Sequence, residues 1–396
     1  MKIAMVFDQF LFGGVERVGI SYVKLMIQSG HSVDVYVLKD SCEDLIHELD
    51  GLCDVKLIPF SPKFCPETSW GYALDSDYAG LGTVKFALRY AISSLHARLH
   101  HKKYKVVNKH YDIAIAFSGH LLDLSFVADG YIDCDHKIGW LHGSQYQYFL
   151  ISPGFYRLYA KIKNLVCLTE NSDVECLPFN KKHGIFKRKI LNPCVVPSKD
   201  SVDAEKVARL RREHGDFCLM VGRLAVDKDQ ETVIKAMRVL RDKYGMDKKL
   251  LLVGDGDRRA YLENLVSQLG MTDRVIFEGS RKDVQNYYSA ATVYTHGSPM
   301  EGLPGVFLEA MAFDLPVVST EAVAGGREIL GNNEYGLLSA NWDEYALADN
   351  IKRLYEDTDL RHSLIEKGRK RVLDFAPESI ITQFNQYLSD ITHAQP

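Results

Sequence analysis

Two glutamates with seven residues between them are the most informative chemical feature of this chain. They are Glu301 and Glu309, and they enclose the turn Gly302-Leu303-Pro304-Gly305. An apolar run typical of a buried strand, 291–296, precedes them, and a helix-forming run follows. We expect Glu301 at the loop entrance and Glu309 in the first helical turn. Helix starts attract anions, glycine admits ligands close to the backbone, and carboxylates accept hydrogen bonds from hydroxyls, so the pattern suits a ligand that carries phosphate and sugar.

Read with its neighbours, this stretch resembles the Glu-x7-Glu signature of the family-4 retaining glycosyltransferases of the GT-B fold. The matching residues begin at Ser298 and read Ser-Pro-Met-Glu-Gly-Leu-Pro-Gly. By this resemblance Glu301 contacts donor-sugar hydroxyls, Glu309 contacts the ribose, and the turn from Gly302 to Gly305 holds sugar and diphosphate. The bare spacing of two glutamates is equally compatible with a capped helix that carries one solvated acid.

A second pair of chemically useful residues, Arg223 and Lys228, follows the strand predicted for 217–222. A helix predicted for 230–244 comes next, so two cations and helix amides can surround a diphosphate. Arginine offers a planar fork of donors and lysine a mobile charge, and fixed cations stabilise a departing diphosphate. The resemblance gives both residues this role, and an ordinary pair of solvated loop cations is the alternative.

Three residues in the first half are further site candidates. His142 follows the strand predicted for 136–141, and the family has a His-Gly there, near the reacting sugar and the acceptor. A lone histidine is more often structural than catalytic. Gly13 and Gly14 follow the first predicted strand but lack the Gly-x-Gly-x-x-Gly dinucleotide fingerprint. In the family such glycines let donor and acceptor pass close to the loop, and a tight turn is the alternative.

The acidic triplets of the chain do not predict a metal site. Asp-x-Asp triplets at 75–77, 133–135 and 255–257 lie in a chain with many acids. The last triplet resembles the structural Gly-Asp-Gly turn of the family. The cysteines include no Cys-x-x-Cys pair. We therefore predict no metal and no essential cofactor, since a nucleotide sugar is a substrate.

Composition limits the classes of protein that this chain can be. Its 396 residues suggest two domains, and 46% hydrophobic with 25% charged residues is ordinary for a globular protein. The net charge of −4 argues against a nucleic-acid partner. No apolar run is long enough to span a membrane, and the start of the chain reads as a first strand. A cytoplasmic location follows as the expectation.

Strands alternate with helix-length segments in both halves, which predicts parallel sheets with crossover helices. The expected fold class is α/β, with two Rossmann-like doubly wound domains, and the resemblance implies that they face each other across a cleft as in GT-B. We assign residues 1–192, with the C-terminal helix 378–396, to an N-terminal acceptor-side domain. Residues 193–377 form the predicted nucleotide-sugar-binding domain, because prolines near 193–197 interrupt regular structure.

A basic segment at 85–110 contains lysines, arginines and histidines but no acid. Apolar residues are interleaved with the basic ones, which predicts one or two amphipathic helices with a basic face. Two interpretations stay open: the solvated face of an ordinary helix, or a surface that docks on an anionic membrane or a lipid-linked acceptor.

The residues and the resemblance together predict a retaining glycosyltransferase. It would move a hexose from a nucleotide-diphosphate sugar, with UDP-hexose expected from family frequency, to a hydroxyl of a glycan or lipid-linked acceptor in cell-envelope polysaccharide or glycolipid synthesis. Two alternatives remain: a nucleotide-sugar epimerase of the same architecture, and a non-catalytic sugar-nucleotide-binding subunit.

Overall fold

The structure is a computed structural model that describes residues 1–10, 14–39, 43–71, 79–143, 148, 152–169, 181–194 and 196–393. The side chains at 43, 44, 79–81 and 324 are outside this description. The described residues form two compact units. Unit 1 comprises Met1–Pro193 with Pro377–Pro396, and unit 2 comprises Cys194–Ala376.

The strands and helices alternate along most of the chain. The strands are β1 Lys2–Phe7, β2 Ser32–Val37, β3 Asp54–Leu57, β4 His110–Ala116, β5 Asp133–Leu141, β6 Asn164–Cys167, β7 Phe186–Lys189, β8 Phe217–Val221, β9 Lys249–Val253, β10 Val275–Gly279, β11 Val293–His296, β12 Met300–Glu301, β13 Val317–Thr320, β14 Val323–Ala324 and β15 Leu337–Ser339. The helices are α1 Gly14–Gln28, α2 Glu43–His47, α3 Ala79–Tyr104, α4 Leu121–Ala128, α5 Pro153–Ile162, α6 Ala204–His214, α7 Gln230–Tyr244, α8 Arg259–Gln268, α9 Val284–Ala290, α10 Gly305–Ala312, α11 Gly325–Leu330, α12 Glu344–Glu356, α13 Thr358–Leu373 and α14 Pro377–His393.

Unit 1 is built on a parallel sheet in the order β3-β2-β1-β4-β5-β6-β7. Successive side chains of a strand point to opposite faces, so Ile3 and Met5 belong to one core and Ala4 and Val6 to the other. Helices α1 and α14 cover the first face, while α4 and α5 cover the second. Both faces are therefore buried, which explains the almost continuously apolar strands.

Unit 2 repeats this plan with a sheet in the order β10-β9-β8-β11-β13-β15. A separate two-stranded sheet joins β12 to β14, with Met300 opposite Val323 and Glu301 opposite Ala324. The crossover helix α7 shows why the sequence folds this way: Asp229 caps its first turn by accepting from the Thr232 amide, and Gly245 ends it in the left-handed conformation.

The basic segment contains a single long helix, so the prediction of helix up to His110 was wrong at its end. Helix α3 stops at Tyr104, and His110 already begins β4. Lys109 lies between the two and pairs with Asp34 at 2.7 Å. It therefore does not belong to the basic face of the helix. Within the described ranges, no helix is both long and apolar enough to cross a membrane.

Candidate active site

The predicted site residues of unit 2 collect where its sheet changes winding direction. Beginning at β8, the chain adds β9 and β10 on one side, whereas β11 lies on the other side of β8. Ligands of open parallel sheets bind at such a switch point, outside the carboxyl ends of the strands. Arg223 and Lys228 follow β8, and Glu301 follows β11. The fold thus brings these three residues to the part of the sheet where a ligand is expected.

The carboxylate of Glu301 is the centre of the site. It accepts hydrogen bonds from Lys228 Nζ at 2.6 Å and from His296 Nε2 at 3.0 Å. Only 12% of the Glu301 side chain is exposed. Burial by itself raises the pKa of Glu301, but the hydrogen bond from His296 and the charges of His296 and Lys228 lower it to about 2. Glu301 is therefore ionised at any physiological pH and can accept hydrogen bonds from hydroxyls.

His296 is a site residue that the sequence reasoning missed. It is the last residue of β11, and its side chain is buried. The centroid of its ring lies 5.2 Å from the ring centroid of Phe307 and 6.2 Å from that of Tyr294. These aromatic rings hold the imidazole so that Nε2 points at Glu301. The available signal was a histidine that ends a buried strand, where a polar group needs a partner.

Arg223 and Lys228 converge on one acid, Asp227. The guanidinium of Arg223 lies 3.2 Å from one oxygen of Asp227, and the ammonium of Lys228 lies 3.8 Å from the other. Two-thirds of the Arg223 side chain is exposed. Its donors can therefore turn to a phosphate, for which the fork geometry of arginine is well suited.

Side-chain hydrogen bonds fasten the loop that carries these cations. The buried Ser298 hydroxyl lies 2.7 Å from the carbonyl oxygen of Asp227 and 2.9 Å from that of Met300. Gln230 donates to the carbonyl oxygen of Arg223 at 2.8 Å. The carbonyl oxygen of Asp229 also lies so close to Gly297 that a Cβ atom there would meet it at 2.1 Å. The loop after β8 and the segment before Glu301 are consequently held together.

The turn from Gly302 to Gly305 leads directly into α10. Its backbone packs against α11, since a Cβ atom at Gly325 would meet the carbonyl oxygen of Gly302 at 2.2 Å. Pro304 is buried next to this contact, whereas Gly305 is exposed at the start of the helix and Leu303 is partly buried. The turn is thus held by α11 and leads into the start of α10, where backbone amides attract anions.

Two placements around the glutamates differ from the prediction. Glu301 lies in the short strand β12 instead of at a loop entrance, because Met300 and Glu301 pair with β14. Glu309 lies in the second turn of its helix instead of the first, because α10 already begins at Gly305. There the Glu309 carboxylate accepts a hydrogen bond from the buried Tyr288 hydroxyl at 2.8 Å. The assigned ribose contact of Glu309 stays a prediction.

The remaining site candidates belong to unit 1. His142 follows β5, and its Nε2 lies 2.6 Å from the carbonyl oxygen of Phe117, so Nε2 carries the proton. Burial lowers the pKa of His142 to about 4. The ring is therefore neutral at pH 7, and Nδ1 is its acceptor nitrogen. Gly14 is the first residue of α1, and apart from its own helix and chain neighbours no described atom lies within 4 Å of a Cβ built there. Gly13 lies outside the described residues.

The Asp255-Gly256-Asp257 triplet packs against the loop that carries Arg223. A Cβ atom at Gly256 would meet the carbonyl oxygen of Leu224 at 2.3 Å, and Asp255 pairs with Arg259 at 3.2 Å. The triplet therefore has the contacts of a structural turn. Among the residues that the structure describes, no three acids, histidines or cysteines are grouped as metal ligands would be.

Comparison with solved structures establishes the fold class. The chain is similar to Anabaena Alr3699/HepE in complex with UDP, with a TM-score of 0.69, 19% identity and coverage of 98% of this chain and 100% of that one. It is also similar to sucrose-phosphate synthase from Thermosynechococcus elongatus, with a TM-score of 0.70, 20% identity and full coverage of both chains. These likenesses and the two Rossmann-like units confirm the predicted GT-B fold class.

The match to a known protein family lies in unit 2. Residues 201–371 match the family model described as "Glycosyl transferases group 1". The matched residues all lie in unit 2, and the match supports the prediction that the protein is a glycosyltransferase.

Two curated relatives come from Campylobacter jejuni. One is "GalNAc-alpha-(1->4)-GalNAc-alpha-(1->3)-diNAcBac-PP-undecaprenol alpha-1,4-N-acetyl-D-galactosaminyltransferase", 29% identical over 52% of this chain and 55% of the relative. The other is "N-acetylgalactosamine-N,N'-diacetylbacillosaminyl-diphospho-undecaprenol 4-alpha-N-acetylgalactosaminyltransferase", 28% identical over 54% and 59%, respectively. The chain thus spans somewhat more than half the length of each of these relatives.

Proposed function

We propose that this protein is a retaining glycosyltransferase of the family-4 type that moves a hexose from a UDP-sugar to a hydroxyl of a glycan or lipid-linked acceptor. One observation carries the proposal: the buried, ionised Glu301 is held by Lys228 and His296 at the switch point of the unit 2 sheet, beside Arg223. This arrangement offers cations for a diphosphate and a carboxylate for sugar hydroxyls next to each other.

In the proposed reaction, Arg223 and Lys228 stabilise the leaving group. The bond between the sugar C1 and the diphosphate oxygen breaks, and its electron pair stays on the nucleoside diphosphate. The acceptor oxygen bonds to C1 on the same face, and its proton passes to the leaving phosphate oxygen. No metal or other cofactor is required, because two preorganised cations and the α10 amides meet the developing negative charge.

Donor binding would replace the contact between Lys228 and Glu301. Without a ligand these two groups neutralise each other at 2.6 Å. A diphosphate draws the ammonium away, and sugar hydroxyls then donate to the carboxylate while the His296 bond keeps it oriented. The two partners thus exchange one charged hydrogen bond for two ligand contacts, so that binding leaves neither charge buried alone.

The comparisons support the choice of donor and acceptor. The Alr3699/HepE structures contain UDP and UDP-glucose, and the names of both Campylobacter relatives describe undecaprenol-linked acceptors. For this chain, UDP-hexose and an acceptor of the polysaccharide or glycolipid pathways of the cell envelope are proposed from these likenesses.

A donor screen followed by product analysis tests the proposal. Thermal shift with UDP, GDP and ADP sugars identifies the nucleotide, and mass spectrometry then follows UDP-sugars incubated with the protein and a cell-envelope lipid extract. A hexosylated lipid with the anomeric configuration of the donor is the expected result. Epimerisation of the donor without transfer, or donor binding without any turnover, would contradict it.

The outer face of α3 favours a further proposal, that the protein docks on anionic membranes. Five aliphatic side chains along this helix are each between 52% and 69% exposed: Val84, Leu88, Ile92, Leu95 and Leu99. At 100° per residue they share one face, opposite the face on which Phe86, Ser93 and Tyr104 pack. The exposed stripe (these five residues) is flanked by the basic side chains of Lys85, Arg89, Arg98, Lys102 and Lys103.

Apolar and basic groups in this arrangement suit the boundary between lipid headgroups and acyl chains. Fully burying a leucine or valine side chain contributes about 1.5–3 kcal/mol, and each basic residue near an anionic leaflet about 1 kcal/mol. The 79–104 helix contains no acid that would oppose this attraction. The occupant expected for this face is therefore an anionic bilayer, with the helix lying in its plane.

Co-sedimentation with phosphatidylcholine vesicles, with and without phosphatidylglycerol, tests the docking. L95D/L99D should abolish binding to anionic vesicles even at low salt, whereas K85E/K103E should mainly shift the salt dependence. The control is L373D in unit 2, because Leu373 is as exposed as Leu99, at 69%, but lies in another helix. The membrane proposal would be refuted if L95D/L99D bound anionic vesicles as strongly as the wild-type protein does. It would also be refuted if the wild-type protein failed to bind them at low salt.

A further inference from the structure

A second polar cluster lies at the carboxyl edge of the unit 1 sheet. The sheet changes winding direction between β1 and β4, and this is where Asp8 and His120 follow their strands. Asp8 comes directly after β1, and His120 precedes the first residue of α4. Ligands of parallel sheets bind at such switch points, but neither residue belongs to the site described above.

Asp8 is buried and incompletely satisfied. Its Oδ2 accepts hydrogen bonds from Lys39 Nζ at 2.9 Å and His120 Nδ1 at 3.1 Å, and 5% of its side chain is exposed. Its other oxygen, Oδ1, is buried without a hydrogen-bond partner in the described part of the chain. Because a buried carboxylate oxygen without a donor is costly, Oδ1 favours a ligand that brings one.

His120 is held firmly, yet half of its side chain is exposed. The fully buried Asp123 accepts from the backbone amides of Gly119 at 2.9 Å and His120 at 2.8 Å. Gly119 has a φ of +67°, and a Cβ atom there would meet the carbonyl oxygen of Trp140 at 2.7 Å. The backbone at His120 is thus fixed and Nδ1 is occupied by Asp8, whereas no residue that the structure describes makes a hydrogen bond to Nε2.

We propose that Asp8 and His120 form an acceptor site, in which His120 Nε2 makes a hydrogen bond to a saccharide hydroxyl and Asp8 is the positioning residue that orients the ring. The proposal rests on the proposed function and adds to it the residues that bind the acceptor. Hydroxyls both donate and accept, so a saccharide also supplies the donor that Asp8 Oδ1 lacks. A phosphate or carboxylate ligand brings no such donor, which favours the saccharide part of the acceptor.

Two substitutions of His120 separate a ligand contact from a structural role. H120N keeps a nitrogen near the position of Nδ1, and so the bond to Asp8, but removes Nε2. H120Q places its nitrogen near Nε2 and gives up the bond to Asp8. We expect H120N to lower kcat/KM for the acceptor about 10- to 100-fold, with partial rescue in H120Q. UDP affinity should be unchanged in both variants. The opposite order, a fully active H120N and an impaired H120Q, would show a structural role and overturn the proposal.

His110 provides a matched control at the other end of β4. It also pairs with acids, Asp133 at 3.1 Å and Asp135 at 3.2 Å, and its side chain is 55% exposed. H110N should therefore leave acceptor kinetics unchanged. Asp8 raises the pKa of His120 through their hydrogen bond, so D8N should lower the pKa of His120 and leave that of His110 in place in a histidine NMR titration. The other titratable groups around His120 are Lys39, Asp123 and His142.

A footprinting experiment tests acceptor binding at His120 independently of the proposed transfer reaction. Diethyl pyrocarbonate modifies exposed imidazoles, and mass spectrometry measures the modification of His120 and His110 with and without a cell-envelope lipid extract. Protection of His120 alone is expected, even if no UDP-sugar is turned over. Equal protection of both histidines, or protection of neither, would overturn the acceptor site while leaving a measured transferase activity intact.

Discussion

Replacing Glu301 by glutamine should cost the protein stability, and the cost should depend on pH. The carboxylate is held by Lys228 and His296, and its pKa is about 2 compared with an ordinary value of 4.5. A carboxyl group whose pKa is lower in the folded state stabilises the fold above its unfolded pKa, and that contribution is lost as the pH falls through the folded value. The window for Glu301 therefore runs from 4.5 down to about 2.

The size of the effect follows from the shift in pKa. One pKa unit corresponds to about 1.4 kcal/mol, so the charge of Glu301 contributes on the order of 3 kcal/mol at pH 7. Little of this is lost to solvent, because only 12% of the side chain is exposed. The contribution should fall to roughly 40% near pH 3 and to roughly a tenth near pH 2. E301Q should therefore differ most from the wild type at neutral pH and least in acid.

A surface pair with the same geometry is the control. Glu356 accepts from Lys352 at 2.6 Å, the same distance as in the Lys228–Glu301 pair, but 54% of its side chain is exposed. Exposed pairs of this helical spacing contribute roughly 0.3–0.5 kcal/mol, so E356Q should have a small effect.

The free energy of unfolding of the wild type and both variants is measured by urea unfolding between pH 7 and pH 3. Hydrogen exchange of peptides from unit 2 reports the unfolding of that unit. An E301Q effect as small as that of E356Q, or one independent of pH, would refute the reasoning.

Three further outcomes test the roles of the donor site. R223A and K228A should each lower kcat about 10²–10³-fold in steady-state assays, and near-normal turnover in both would exclude them from the mechanism. R223A should do so without a matching loss of thermal stability, whereas K228A should also destabilise the fold because it removes a charged partner of the buried Glu301 carboxylate. E309A should weaken UDP binding measured by calorimetry more than it lowers kcat, whereas E301A should also lower kcat, and unchanged UDP affinity in E309A would contradict the ribose contact. EDTA should leave substantial activity because Arg223 and Lys228 neutralise the diphosphate, and a complete loss that Mg²⁺ restores would show that the site needs a metal.

The strands and helices around the site could be predicted from the sequence, because each is indicated by the pattern of residues within its own segment. The strand at 217–222, the helix at 230–244 and the helix after Pro304 follow from apolar periodicity and from proline and glycine at their ends. These elements place Arg223 and Glu301 at strand ends, which is all that the sequence reasoning needed. The short strand at Glu301 was missed because two residues give no periodic signal.

Pairings between distant residues could not be predicted, because they depend on the order of strands in the sheet. Lys228 and Glu301 meet across the β8–β11 neighbourhood, and Asp8 meets His120 across the β1–β4 neighbourhood. Helix α3 shows a second limit: it has two faces with apolar residues, and periodicity alone does not tell which one is buried. The partners of a face and of a side chain are decided by tertiary packing.

The glycine contacts around the donor site tell an engineer where directed evolution can act. At Gly297 and Gly325, any side chain would run into a carbonyl oxygen at 2.1 and 2.2 Å, so mutant libraries gain nothing by sampling these two positions. Leu303 lies in the turn before α10 and Val226 in the loop after β8; both already carry side chains, and 70% of Val226 is exposed. Mutant libraries that seek an altered sugar preference should therefore vary Leu303 and Val226 and leave Gly297 and Gly325 unchanged.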